Sequence, residues 1–530
     1  MDFGCIFIIC MLSHGLILLN NGFFWDDNIY YGLIRGGYYE EFSSFILETG
    51  LPINIYFFRG LDWLVGIENH RWVSLFSIFT SAVLLNQIFK SYFDQCQSIS
   101  LMYAVMFVVV YPFKSTVLLC TTVYQVMLLF FIMAVFIRAH FGRSSSSVIR
   151  SVAQIGFALL SFISFNTASI LTLFYFYFIF ECFRACDFRM NFKAMMSYFR
   201  QNAIFLTLPI LYWALKIVYF PTHGEYVYYN KINFDLLLIL NSYKSFFIAL
   251  FVPNLLIEAA SRSTLLWLIV GFMLPLLIIF PCATKWVKFK VPLVKKDWRF
   301  IFFWLCGFLF ISAFPYSLIN LNPSYRGFES RHLILFTLSL PAFVLGAMVL
   351  YFERVKKVIV VARIDYLFRS VFIYIVAIGV IGSVVTYYDY QALAIKQESI
   401  VENLKVKTNL KKYSNFTIED QIGDFSVHSS SPHELTHQAW YEWAAIFKKA
   451  WGEERWYGNN SDLPNEHKKG IRYGSSQIRE DDFQCKLLLR SNDSKDKTKL
   501  VHKYWALKYF GSAIDFRRYL LEISSIEACE

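Results

Sequence analysis

Apolar and polar stretches alternate along the first 390 residues, and the apolar ones come close to bilayer length. A spanning helix needs roughly 20 predominantly apolar residues. Stretches of this kind occupy 4–21, 72–90, 100–112, 115–137, 151–165, 168–184, 202–220, 264–283, 300–318, 331–351 and 368–388. Two pairs, within 100–137 and 151–184, are nearly contiguous and predict tight helical hairpins turning at "YPFKST" and "SFNTAS". The 221–262 region ("FDLLLILNSYKSFFIALFVPNLL") is too apolar for a free loop and predicts membrane-surface or re-entrant helices. From residue 389 the pattern changes. Helical periodicity in "HELTHQAWYEWAAIFKKAW" and "KYWALKYFGSAIDFRRYLLEI" flanks a polar middle, "YGNNSDLPNEHKKGIRYGSSQIREDD", which reads as loop. The expected fold is therefore an all-α polytopic membrane protein of about eleven spans. Residues 1–388 form its membrane part, with a long loop at 22–71, and 389–530 form a mixed α/β or helical globular domain.

Composition supports the division. Hydrophobic residues make up 56% of the chain and charged residues only 17%, against about a quarter in soluble domains. Residues 391–530 hold 21 Lys and Arg against 20 Asp and Glu, leaving 29 against 19 for residues 1–390. The net charge of +11 thus lies almost wholly in the apolar part, in short loops. That placement marks cytoplasmic loops and excludes a nucleic-acid partner as its cause. The segments "RAHFGRSSSSVIR", "RACDFRMNFKAMMSYFR", "KWVKFKVPLVKKDWR" and "ERVKKVIVVARIDYLFR" carry the excess. They predict a cytoplasmic N-terminus, with 22–71, 221–262, 319–330 and 389–530 on the outer side. The 22–71 loop reverses the sign with Asp26, Asp27, Glu40, Glu41, Glu48, Asp62 and Glu68. The first apolar run lacks a basic lead and a small-x-small cleavage site, so it reads as a retained helix. Most cysteines, such as Cys5, Cys10, Cys120 and Cys306, fall in apolar runs and read as buried thiols. Cys485 and Cys529 lie in the tail, where spacing alone does not establish a disulfide.

Candidate chemistry begins where the first apolar run ends, at "FFWDDNIYYGLIRGG". Two adjacent carboxylates at a lipid boundary call for a partner or a task. Asp26 and Asp27 can supply a general base, or cap the helix that starts there. A cationic counterpart stands in "NPSYRGFESRHLILFTLSLP", where Tyr325, Arg326, Glu329, Arg331 and His332 precede an apolar helix. A guanidinium there can grip a phosphate or merely snorkel to the interface. Lys114, in the turn "YPFKS", is a second cation, and Arg35 and Arg59 either pair with the loop's acids or touch a ligand. A separate signal is "HELTH", His433 to His437, which matches the H-E-x-x-H pattern of zinc proteases. Pro432 puts it at a helix start, and no third ligand stands out, so an ordinary capped helix start is the stronger reading.

The acidic pair at the start of a long first outer loop, the tight hairpins and the polar outer tail together resemble the GT-C superfamily of integral-membrane glycosyltransferases. The resemblance implies an inverting transfer of one sugar from a polyprenyl-phosphate donor, with Asp26 or Asp27 as base. Arg331, Arg326, Lys114 and His332 would hold the donor phosphate, and Arg35, Tyr325 and Glu329 would contact substrate. It further implies a bacterial inner membrane and a periplasmic C-terminal domain. Within the superfamily the outline is similar to O-antigen glucosyltransferases of the serotype-converting type. That points to glucose, a lipid-linked or surface polysaccharide acceptor, and separate proteins that make and flip the donor. A lipid-monophosphate leaving group needs no metal when cationic side chains carry its charge, although Mg or Mn at Asp26/Asp27 is compatible with an adjacent acid pair. Three other classes stand beside this reading: a polysaccharide polymerase or ligase, a flippase, and a membrane zinc metalloprotease using "HELTH".

Overall fold

A backbone inside a bilayer has to satisfy its own polar groups, so the apolar runs fold as helices. The computed structural model describes every residue except 1, 21, 25, 36–38, 93–96, 111–113, 143, 187–191, 228–231, 252–297, 322–327, 356–360, 414, 421–439, 453–456, 461–470, 474–475, 479–484, 492–496, 511–520 and 526–530. The helices are α1 (Asp2–His14), α2 (Asp27–Arg35), α3 (Tyr39–Glu48), α4 (Ile53–Val65), α5 (His70–Tyr92), α6 (Gln97–Val109), α7 (Thr122–Phe141), α8 (Ser147–Ser164) and α9 (Ile170–Ala185). They continue with α10 (Phe192–Gln201), α11 (Ala203–Tyr219), α12 (Leu236–Phe251), α13 (Trp298–Ser317), α14 (Phe336–Val355) and α15 (Val361–Val406). Each apolar stretch expected from sequence overlaps one of these helices, save 264–283, which lies outside the described residues. The helices break near both expected turns, between α6 and α7 and between α8 and α9, but α7 packs chiefly on α5 and α8 and not on α6.

Length separates these helices. Among the described residues, five helical stretches are long and apolar enough to cross a membrane: 2–19, 70–92, 119–141, 147–164 and 368–406. A sixth arises if α10 and α11, bent by 61° at their junction, count together. Apolar helices at 98–109, 236–248, 305–317 and 336–351 are shorter. The chain is therefore a mostly helical membrane protein.

Bonds between helix ends gather at two ends of α1. At one end Lys90, closing α5, pairs with Asp2 of α1 at 2.5 Å. There Tyr92 and Tyr177 meet hydroxyl to hydroxyl at 3.2 Å, and Arg138 donates to Asn202 at 2.6 Å. The basic stretches around 138–150 and 181–200 thus share this end, as the charge pattern expects. At the other end, Ser115 N–H donates to Ser330 Oγ (2.9 Å), joining the 3₁₀ turn Lys114–Val117 to the 3₁₀ turn Phe328–Leu333. His14 Nε2 lies 2.9 Å from the Val108 carbonyl, which only a protonated nitrogen can satisfy. With Nε2–H donating, Nδ1 is left to accept from the Tyr387 hydroxyl at 2.5 Å, and Tyr387 also meets Thr116 Oγ1 at 3.0 Å.

Helix α15 runs unbroken for 46 residues, so the division expected at 388/389 falls inside it. Beyond it stand β1 (Asn415–Asp420), α16 (Trp440–Trp451), β2 (Tyr457–Asn460), β3 (Ile471–Tyr473), β4 (Ser476–Ile478), β5 (Cys485–Ser491), α17 (Lys497–Phe510) and β6 (Leu521–Ser525). A four-stranded sheet has the order β2-β1-β5-β6, with β1 parallel to β2 and β5, and β6 antiparallel to β5. The tail is thus α/β in its described residues. Two sequence expectations are corrected here. The polar middle read as loop holds β2, β3 and β4. The stretch "KYWALKYFGSAIDFRRYLLEI", read as helix throughout, is helical to Phe510 and ends in a strand, because Leu521–Ser525 completes the edge of β5; residues 511–520 between them lie outside the described residues. The tail is clamped to the far half of α15. Trp451 Nε1 donates to the Leu404 carbonyl at 2.7 Å, Tyr388 meets His502 at 2.6 Å, and Tyr504 donates to Glu398 at 2.5 Å. Cys485 is disulfide-bonded; Cys529, and with it the pairing weighed from sequence, lies outside the described residues, as does the "HELTH" segment.

Candidate functional site

The acidic pair starts α2, where a carboxylate is favoured by the exposed N–H groups of a first helical turn. The two members sit in different surroundings. Asp27 is fully buried. Its Oδ1 accepts from Cys120 N–H at 2.8 Å and its Oδ2 from Phe24 N–H at 3.4 Å. It thereby serves the free amides at the entry of α7 as well as its own turn. Burial pushes its pKa up, and the Cys120 amide and nearby Arg71 pull it back. Asp26 is half-buried, and its charge acts on both Cys120 and Tyr30. Asp27 is thus built into the frame, while Asp26 keeps a path to solvent.

Arg71, at the start of α5, locks that frame. Its Nε donates to the Val117 carbonyl at 3.0 Å, Nη1 to that of Asn20 at 2.7 Å, and Nη2 to that of Gly22. One buried guanidinium therefore ties the exit of the first helix to the turn that carries Lys114. Among described residues its three nitrogens are all engaged by backbone oxygens.

The cationic segment comes to the same place. The Ser115–Ser330 bond sets the Phe328–Leu333 turn beside the Lys114 turn. Arg331 is half-buried, its Nε lies 3.3 Å from His332 Nε2, and its charge acts on Cys120, whose amide holds Asp27. His332 is buried against the Tyr316 ring, 5.6 Å between centroids. So the structure brings Asp26, Asp27, the Lys114 turn, Arg331 and His332 into one neighbourhood. Arg59 stays apart from them, its guanidinium 4.9 Å over the Tyr39 ring. Tyr325, Arg326 and Trp25 lie outside the described residues, as do the side chains of Arg35, Lys114 and Glu329.

Sequence reasoning missed Arg71 and everything the tail adds. Helix α16 packs on α2: Asn28 Nδ2 donates to Glu442 Oε1 at 3.5 Å. From α15, Gln397 Nε2 donates to the Phe23 carbonyl at 2.8 Å. Lys449 places its ammonium 4.1 Å from the Phe23 ring centre. Although Lys449 as a whole is exposed, desolvation around its ammonium lowers the pKa to about 8 against the opposing pull of Glu398 and Asp27. An amphipathic helix in a polar tail carries no local signal that one of its lysines reaches a turn more than 400 residues earlier. Arg71 likewise reads from sequence as an interfacial arginine.

Asp27 spends its oxygens on backbone amides, an arrangement unsuited to a divalent cation. Among the described residues no three His, Cys, Asp or Glu side chains gather as a metal group. Comparison with family models, curated proteins and solved structures found no match.

Proposed function

We propose that this chain is an inverting membrane glycosyltransferase that moves a hexose, glucose by the resemblance noted above, from a polyprenyl-phosphate donor to a lipid-linked or surface polysaccharide. The observation that supports it most is that the half-buried Asp26 and Arg331, about 300 residues apart in sequence, both act on the Cys120 side chain, beside the Ser115–Ser330 bond. In this reading Asp26 accepts the proton of the acceptor hydroxyl as its oxygen attacks the anomeric carbon. The bond from that carbon to the phosphate oxygen breaks, and the lipid phosphate departs with the electron pair. Arg331 and His332, with Lys114 contributed by the neighbouring turn, stabilise the charge that develops on the phosphate. Asp27 holds the turn. The face carrying the site is taken as periplasmic in a bacterial inner membrane, with the N-terminus cytoplasmic and donor synthesis and flipping left to other proteins. The basic stretches at the opposite end support that sidedness, and so does a disulfide at Cys485, since such bonds persist in oxidising compartments.

The test is transfer from a polyprenyl-phosphate sugar by the full chain in vesicles. Asp26→Asn removes the base and is expected to cost 10²–10⁴-fold in rate, about the worth of general base catalysis, with abundance and melting unchanged. Arg331→Ala should raise the donor requirement. Full transfer activity in Asp26→Asn would sink the proposal. A polymerase or ligase is separated from it by products that lengthen by repeats instead of by one sugar.

A further inference from the structure

The cations around Asp27 are not equivalent. Arg71 is buried and spends its donors on three carbonyls. It shapes the site from a buried position, each of its three nitrogens already held by a backbone carbonyl. Arg331 is half-buried in the membrane part. Lys449 differs from both, because it comes from the C-terminal domain, on a flexible and exposed stem. Its ammonium nonetheless sits over Phe23, four residues before Asp27, and it shares an electrostatic neighbourhood with Asp27 and Arg71. Three contacts hold it there: α16 is braced on α15 through Trp451 and Leu404, on α2 through Glu442 and Asn28, and α15 itself touches the Phe23 carbonyl through Gln397.

We infer that Lys449 is a phosphate-binding residue of the transfer site, contributed by the C-terminal domain, and that it grips the phosphate monoester of the lipid donor together with Arg331. The inference rests on the glycosyltransferase reading and deepens it: the domain completes the site, in addition to any role in recognising the acceptor. The chemistry suits the residue. An ammonium is a compact point charge on a rotatable stem, able to follow a phosphate as it leaves, whereas a guanidinium fork holds a fixed direction. Phe23 gives the ammonium an aromatic face to rest on when no anion is bound. The charged and titratable groups around it include Asp27 and Tyr30 on α2 with Asp26 just before it, Arg71 on α5, Asp389, Tyr390, Lys396, Glu398, Glu402 and Lys405 on α15, and Glu442 and Lys448 on its own helix. With Glu398 and Asp27 already drawing on the ammonium, phosphate has to compete for it. That competition favours release after transfer.

Binding of undecaprenyl phosphate to the full chain in nanodiscs tests this without requiring turnover. From the Lys449 value of about 8, roughly one ammonium in eleven remains at pH 9, so wild-type affinity should fall about tenfold between pH 7 and 9. The phosphate itself, with a second pKa of about 6, has already lost its proton over most of that range. Lys449→Arg should keep full affinity through pH 9, because its charge does not titrate there. Lys449→Met should bind weakly at every pH while keeping wild-type abundance and helical content. Arg331→Ala should weaken binding yet preserve the alkaline fall. Affinity that does not change with pH in the wild type, or wild-type affinity in Lys449→Met, overturns the inference. So does displacement of the lipid by inorganic phosphate at equal concentration, which would assign a free anion in place of a lipid headgroup. Should binding follow Lys449 while no sugar donor is ever turned over, the glycosyltransferase reading falls and the lipid-phosphate site stands.

Discussion

Replacing Arg71 with Met is the sharpest probe of how the site is held. The guanidinium satisfies the carbonyls of Val117, Asn20 and Gly22 from a buried position and stands beside the buried Asp27. A hydrogen bond to a charged group contributes about 1.5–3 kcal/mol, and removing one partner of a buried ion pair costs about 3–5 kcal/mol. The two overlap, since one side chain makes both, so the expected loss is about 3–5 kcal/mol and not their sum. Arg71→Lys keeps the charge but cannot span three carbonyls, and should fall between wild type and Met. The assay is unfolding by SDS in mixed micelles, followed by tryptophan fluorescence. Asp27→Asn in the Arg71→Met background supplies the control. Once the cation is gone, an ionised buried carboxylate is a burden, so the double variant should lose about 1–3 kcal/mol less than the two single losses added. A loss below about 1 kcal/mol for Arg71→Met, or strict additivity, would refute the claim that one residue ties the first helix's exit to the Lys114 turn.

Two further outcomes concern packing and pH. A Cβ at Gly379 in α15 would collide with the backbone carbonyl of Val109, so Gly379→Ala should cost about 1–3 kcal/mol. Gly60 in α4 has open space around it, and Gly60→Ala should be neutral or stabilising by up to about 1 kcal/mol; equal effects in the same unfolding assay would contradict this. Lys449 titrates near 8 folded against 10.5 unfolded. Between those values the unfolded chain binds more protons, so stability contributed through this residue rises with pH across that window. Measured against Lys449→Met, wild type should gain from pH 8 to 10.5, and parallel curves would count against the burial of that ammonium.

Much of the membrane part could be read from the chain because apolar periodicity and turn residues are local signals. The helix breaks near Lys114 and Phe165 sit where proline and polar residues interrupt the runs. The convergence of the Asp26–Asp27 turn with the Arg331 turn followed from placing both at helix ends on one side. What stayed hidden depends on distant partners. Asp26 and Asp27 are chemically identical, and only the amides of Phe24 and Cys120 separate a buried brace from an accessible carboxylate. The far half of α15 reads as a polar tail because Gln397 and Glu398 interrupt its hydropathy. Those residues are polar since they bond Phe23 and Tyr504. Strand β6 is short and carries Glu522, so nothing in its own residues distinguishes it from a helix end until β5 lies alongside.

At 46 residues, α15 is about 69 Å long, more than twice the roughly 30 Å of a bilayer's hydrocarbon core. One rigid rod therefore serves as both membrane strut and mast for the C-terminal sheet. A mast without a joint cannot let its load swing freely. Any tilt of the rod in the lipid would carry the sheet, Lys449 and, through Gln397 and Phe23, the acidic turn along with it.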